Sequence, residues 1–87
     1  MIREKIIIEN EYGLHALPAT QFVKTADKFK SEIKLIKDDI TVNGRSIMAI
    51  LTLACEKGSV VELIVEGKDE KKAMNALKKI LRGKKDG

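Results

Sequence analysis

The stretch Gly13-Leu14-His15-Ala16-Leu17-Pro18-Ala19-Thr20 holds the one histidine and the one proline of the chain. An imidazole can act as nucleophile or proton carrier at neutral pH, so its surroundings decide which chemistry is open to it. Downstream, Ala19, Phe22, Val23, Ala26 and Phe29 recur at helical spacing. Proline is tolerated in the first turn of a helix, where the amide hydrogens have no intrahelical partner. Pro18 therefore sets the helix start at residues 15–17 and puts His15 at its mouth, two residues after a candidate turn glycine. There, free amides and the positive end of the helix dipole disfavour a cationic ring and favour an added anion such as phosphate. These residues suit a neutral histidine nucleophile whose phosphorylated form the helix end stabilises. They also suit a surface histidine that merely caps the helix, and position alone leaves both open.

The chain that must position this ring has 87 residues, enough for one domain with one modest core. Hydrophobic residues make up 44% and charged residues 34%, a balance that fits a globular fold. With Tyr12, Phe22 and Phe29 as the aromatics, that core must be built of Ile, Leu, Val and Ala. No apolar run reaches the length of a membrane span, and residues 1–11 alternate charge with isoleucine instead of forming a signal peptide. A cytoplasmic protein without membrane insertion is expected. Cys55 stands alone, so no intrachain disulfide can form, in keeping with a reducing compartment. One histidine and one cysteine do not make a conventional zinc site, and neither metal nor cofactor is expected.

A net charge of +4 raises nucleic acid as a partner. The excess lies largely in Lys71, Lys72, Lys78, Lys79, Arg82, Lys84 and Lys85, on or after the last helical pattern, where cations complement a helix C-terminus. No aromatics are interleaved with them as a base-stacking platform requires. Nucleic-acid binding is therefore not expected.

Residues 1–9 read as a strand with Ile2, Ile6 and Ile8 on one face and Arg3, Lys5 and Glu9 on the other; Ile7 breaks the alternation. The first helix is predicted over residues 16–28, with Lys24 and Asp27 outward. Residues 32–37 and 40–42 read as strands joined by a tight Asp38-Asp39 hairpin. Ser46 is a good N-cap for an apolar segment over residues 47–55. On that helix Ile50, Leu53 and Ala54 share one arc, while Met48, Leu51 and Thr52 share another, with Ile47 between. Either it is the central core helix, or its second arc faces solvent and marks a docking surface. Residues 60–66 read as the fourth strand, with Val61, Leu63 and Val65 inward. Asp69 is placed as the cap of a final helix over residues 70–82, whose stripe is Ala73, Leu77, Ile80 and Leu81. One domain over residues 1–82 and a frayed tail over 83–87 follow. The order strand, helix, strand, strand, helix, strand, helix predicts an α+β open-faced two-layer sandwich: a four-stranded antiparallel sheet with three helices on one face.

Three segments closely resemble HPr, the histidine-containing phosphocarrier family of the bacterial sugar phosphotransferase system. Gly13-Leu14-His15-Ala16-x-Pro18-Ala19 resembles the active-site motif, and residues 43–53, Asn43-Gly44-Arg45-Ser46 onward, resemble the regulatory serine segment. Residues 60–70 resemble the last strand and helix start, and the likeness spans residues 1–82. The resemblance implies that His15 takes a phosphoryl group on Nδ1 from enzyme I and passes it to a sugar-specific enzyme IIA, with Ala16 and Leu17 amides beside it. It implies a carrier, not a stand-alone enzyme, working as a monomer. Ser46 matches a site phosphorylated by HPr kinase/phosphorylase, linking the chain to a catabolite-control transcription regulator; capping and phosphorylation there are compatible. Ala16, Leu17, Thr20, Lys24, Ile47, Met48, Leu51 and Thr52 match the partner-binding surface.

The sequence departs from the family at Leu17, where an arginine usually contacts the phosphoryl group, and at Ala54, where a glycine is usual. Leucine supplies neither charge nor a fork of donors. An atypical carrier, a regulatory homologue acting through Ser46 with little transfer at His15, or a drifted or engineered variant would each fit. Arg45 or Lys24 is expected to replace part of the missing charge.

Overall fold

The computed structural model describes residues 1–83. The patterned segments form β1 (Ile2–Ile7), α1 (Ala16–Ala26), β2 (Glu32–Lys37), β3 (Ile40–Asn43), α2 (Ile47–Thr52), β4 (Val60–Glu66) and α3 (Glu70–Leu81). The four strands make one antiparallel sheet in the order β1-β4-β2-β3, so the last strand in the chain lies between β1 and β2. Because side chains alternate across a strand, Ile6, Ile33, Leu35, Val61, Leu63 and Val65 all turn to one face and are buried. Against them pack Ala19, Phe22 and Ala26 of α1, Ile50 of α2, and Ala73, Met74, Leu77 and Leu81 of α3. The other face is open, with Arg3, Lys5 and Lys34 exposed. There Ile7 and Val60 face each other across the β1–β4 ladder, both exposed, which is where the broken alternation of the first strand leads. Glu4 points to the helix side instead, where Lys78 of α3 reaches it at 3.1 Å.

Several ends differ from the sequence reading: β1 covers Ile2–Ile7 within the expected 1–9, β3 runs one residue further to Asn43, and α3 stops at Leu81, one residue before Arg82. Helix α1 stops at Ala26, two residues short of Lys28, because the amides of Lys28 and Phe29 turn to Thr25 and Ala26, three residues back. Helix α2 ends at Thr52 in the same way, with Leu53 bonded to Ile50 and Ala54 to Leu51. Ala54 then takes a φ of 50° and is exposed, so it leaves the arc on which helical spacing had placed it beside Ile50 and Leu53. Asp69 holds the N-cap position of α3, its carbonyl accepting from Ala73 at 2.9 Å, but its side chain makes no capping bond. Its carboxylate instead accepts from the Lys30 amide at 2.8 Å, the Ser31 amide at 3.1 Å and the Ser31 hydroxyl. The Gly67 amide, near the same helix start, donates to Glu70 at 3.1 Å. The hairpin forms at Asp38 and Asp39, whose φ values of 49° and 67° meet the positive-φ requirement of a two-residue type I′ turn. Gly83 closes α3 through its amide to Ile80 at 3.1 Å; of the tail anticipated over residues 83–87, residues 84–87 lie outside the described residues.

Candidate functional site

The loop before α1 is fastened on both sides, which fixes where the imidazole emerges. Toward α3, the Glu9 amide donates to Leu81 at 3.3 Å and the Asn10 side chain donates to Ile80 at 3.2 Å. Toward the chain that follows α2, the Leu14 amide donates to the Cys55 carbonyl at 2.8 Å. Gly13 makes that approach possible: its φ is 73°, and any Cβ there would collide with the Cys55 carbonyl and with Cα of Glu56. Leu14 is buried beneath the loop, and His15 is left exposed at the N-cap of α1. Its backbone is extended (φ −88°, ψ −169°) and its carbonyl accepts from Ala19 at 2.9 Å, while its side chain makes no capping bond.

The amides of Ala16 and Leu17 have no hydrogen-bond partner among the described residues, and Pro18 has no amide hydrogen to offer. Two donors and the positive end of an 11-residue helix therefore face the space beside the ring. Tyr12 stands edge-on to the imidazole, ring centroids 6.1 Å apart at 80°. Beyond the two rings runs a groove of about 550 Å³, walled by Leu17, Pro18, Gln21 and Ile80. Tyr12 was visible in the sequence only as one of three aromatics. A ring three residues before a histidine, across a glycine turn, was the signal available.

On α1, Leu17 is exposed, Lys24 stands two turns further along the same line, and Thr20 between them donates its hydroxyl back to Ala16 at 2.7 Å. On α2, Met48 and Thr52 are exposed and Ile47 and Leu51 half-buried, whereas Ile50 and Leu53 are buried. The second arc of this helix thus faces solvent. Ser46 caps it by accepting from the Ala49 amide at 3.3 Å. At the other end the Lys37 ammonium donates to the carbonyls of Leu53 and Ala54 at 3.1 and 3.3 Å, complementing the helix terminus. Burial pushes the Cys55 thiol up, against the smaller opposing pull of Lys37. Since the chain after α2 meets the His15 loop and the residue before Ser46 meets the far end of α1, His15 and Ser46 lie at opposite ends of the α1–α2 pair.

Residues 2–82 match the family model described as PTS HPr component phosphorylation site. The chain belongs to the HPr family. It is 46% identical over 83 residues to the phosphocarrier protein HPr of Neisseria meningitidis, covering 95% of this chain and 93% of that protein. It is also 44% identical over 77 residues to the HPr-like protein Crh of Halalkalibacterium halodurans, covering 88% and 92% respectively. The crystal structure of an HPr from Thermoanaerobacter tengcongensis superposes with a TM-score of 0.90 at 44% identity, over 98% of this chain and 99% of that one. The open sheet with three helices is the HPr architecture.

Set in the HPr fold, the expectation that Arg45 replaces charge beside His15 is overturned. Its guanidinium donates to the carbonyls of Ser31 at 3.0 Å, Ala26 at 3.2 Å and Phe29, and it pairs with Asp27 at 3.6 Å. These groups sit past the C-terminus of α1, roughly 16 Å of helix away from His15 at 1.5 Å per residue. Free carbonyls at a helix end attract a fork of donors, and Arg45 is consumed there. Lys24 keeps its place on the exposed line of α1, two turns from Leu17.

Proposed function

We propose that this chain is a phosphocarrier that relays a phosphoryl group from phosphorylated enzyme I to a sugar-specific enzyme IIA through His15. The observation that carries the reading is the exposed imidazole at the mouth of α1, with no capping bond of its own and two unpartnered amides beside it. In the relay, the unprotonated ring nitrogen of His15, Nδ1 by likeness to HPr, attacks phosphorus. One N–P bond forms as the donor's N–P bond breaks, and the departing electron pair returns to the donor nitrogen. Each ring keeps its proton on its other nitrogen, so none need be exchanged with solvent. The bond made resembles the bond broken, and a carrier needs only to hold the new anion until the next protein takes it. The Ala16 and Leu17 amides and the α1 dipole serve that purpose.

Partners dock on Ala16, Leu17, Thr20 and Lys24 of α1 and on Ile47, Met48, Leu51 and Thr52 of α2, a largely apolar surface with one cation. Ser46, at the far end of that surface, takes a regulatory phosphate from an HPr kinase/phosphorylase. The modified face is read by a catabolite-control transcription regulator. The carrier works as a cytoplasmic monomer.

A second reading draws on the likeness to Crh and on the leucine at position 17: a regulator acting through Ser46 and docking, with little transfer at His15. Incubation with phosphoenolpyruvate and enzyme I separates the two. An acid-labile, base-stable phosphate on His15 is the expected result. Modification confined to Ser46, with ATP and its kinase, would replace the carrier by the regulator. Comparing the uptake rate with that of Leu17→Arg measures what the uncharged position costs the relay.

A further inference from the structure

A phosphoryl group carried on His15 brings three terminal oxygens, and the donors within its reach can be counted. The first turn of α1 supplies the amides of Ala16 and Leu17, none from Pro18, and none from Ala19, whose amide is taken by the His15 carbonyl. The Thr20 hydroxyl is committed to Ala16 and the Asn10 side chain to Ile80. Leu17 carries no polar atom, and Gln21 and Thr25 stand more than a turn further along the helix. Two main-chain donors for three oxygens leave a place that a side-chain donor can take in competition with water. The side chain that stands against the ring is Tyr12, at 6.1 Å between centroids. The residue is 76% exposed, so burial of apolar surface does not explain its place. Its phenol, a donor whose hydrogen can rotate to suit an acceptor, makes no hydrogen bond among the described residues.

We propose that Tyr12 is a phosphoryl-binding residue of this site, its phenol donating a hydrogen bond to an oxygen of the phosphoryl group on His15. The inference rests on phosphotransfer at His15 as proposed above and adds the side-chain donor that the first turn of α1 lacks. Tyr12 and the two amides then supply one side-chain and two main-chain donors around the imidazole. A charge-assisted hydrogen bond of this kind favours the phosphorylated form over the free one and shifts the transfer equilibrium toward this chain.

The test compares wild type, Tyr12→Phe and Tyr12→Ala after phosphorylation both by enzyme I and by phosphoramidate, which modifies histidine without any protein partner. Tyr12 is exposed, so neither variant disturbs the core. Tyr12→Phe keeps the edge-on ring and loses only the hydroxyl. It is expected to lower the equilibrium constant for uptake from enzyme I by about fivefold, the scale of one solvent-accessible hydrogen bond to an anion. It is also expected to move the phosphorus NMR resonance of the phosphohistidine as far as Tyr12→Ala does. A Phe variant that matches wild type in both readouts overturns the proposal, whether or not the Ala variant differs. Labelling of His15 by phosphoramidate but not by enzyme I would overturn the relay, and the phosphorus resonance of the two variants would then decide the phenol's role alone. No label at His15 from either source overturns both.

Discussion

Ala54 closes α2 with a φ of 50°. In this left-handed region the Cβ crowds the following carbonyl oxygen, at about 1–2 kcal/mol for a residue other than glycine. Glycine escapes the clash but has more freedom to lose on folding, which returns part of the gain. Ala54→Gly is therefore expected to stabilise the protein by roughly 0.5–1 kcal/mol, seen as a higher urea midpoint at unchanged slope. Gly13 poses the opposite case. It combines positive φ with a carbonyl where a Cβ would sit, so glycine is there for space as well as conformation. Both residues adjoin Cys55, whose carbonyl anchors Leu14 and hence the histidine loop.

At the level of elements, Arg45 joins β3 and α2 to the end of α1 by gathering three carbonyls and Asp27. Removing it leaves partly buried acceptors at a helix terminus without donors. Arg45→Ala is expected to lower stability by about 1–2 kcal/mol, after discount for the solvent-exposed part of the arrangement. Phosphoryl uptake by His15 is expected to stay within a factor of about two, since the helix length separates the two sites. Parallel denaturation and uptake measurements check both halves, and a large loss of uptake in a folded variant would return Arg45 to the site. The same geometry sets Ser46, next in the chain, on the border between this clasp and the start of α2.

For the molecule as a whole, Asp69 ties the start of α3 to the α1–β2 connection, 38 residues away at Ser31. The Ser31 hydroxyl first, then the Lys30 amide, hold its carboxyl below the ordinary aspartate range, outweighing the opposing effect of desolvation. Because the folded value lies below the unfolded one, the latch stabilises fully above the unfolded value. Its contribution is lost as pH falls through the lower, folded value. Wild type and Asp69→Asn are thus expected to differ most in stability near neutrality and to converge below about pH 4. Urea midpoints measured across that range provide the check, and a gap that widens with acid would contradict the latch.

Local pattern determined the elements themselves. Alternation in residues 2–7 and 60–66, the helical stripes starting at Ala19 and Ala73, the Asp38-Asp39 turn and the Ser46 cap each depend on neighbours a few positions apart. The place of His15 at a helix mouth was legible for the same reason, since Pro18 and the apolar stripe lie within one or two turns of it. What packing alone decided joins residues distant in the chain: β4 between β1 and β2, Glu4 on Lys78, Asp69 on Ser31, and Arg45 at the far end of α1. The meeting of Tyr12 with the imidazole belongs with these, although the two are close in sequence. The ring's direction follows from a loop fastened to Leu81 on one side and Cys55 on the other. A charged or aromatic side chain has several acceptors or surfaces to choose from, and only the closed core shows which are within reach.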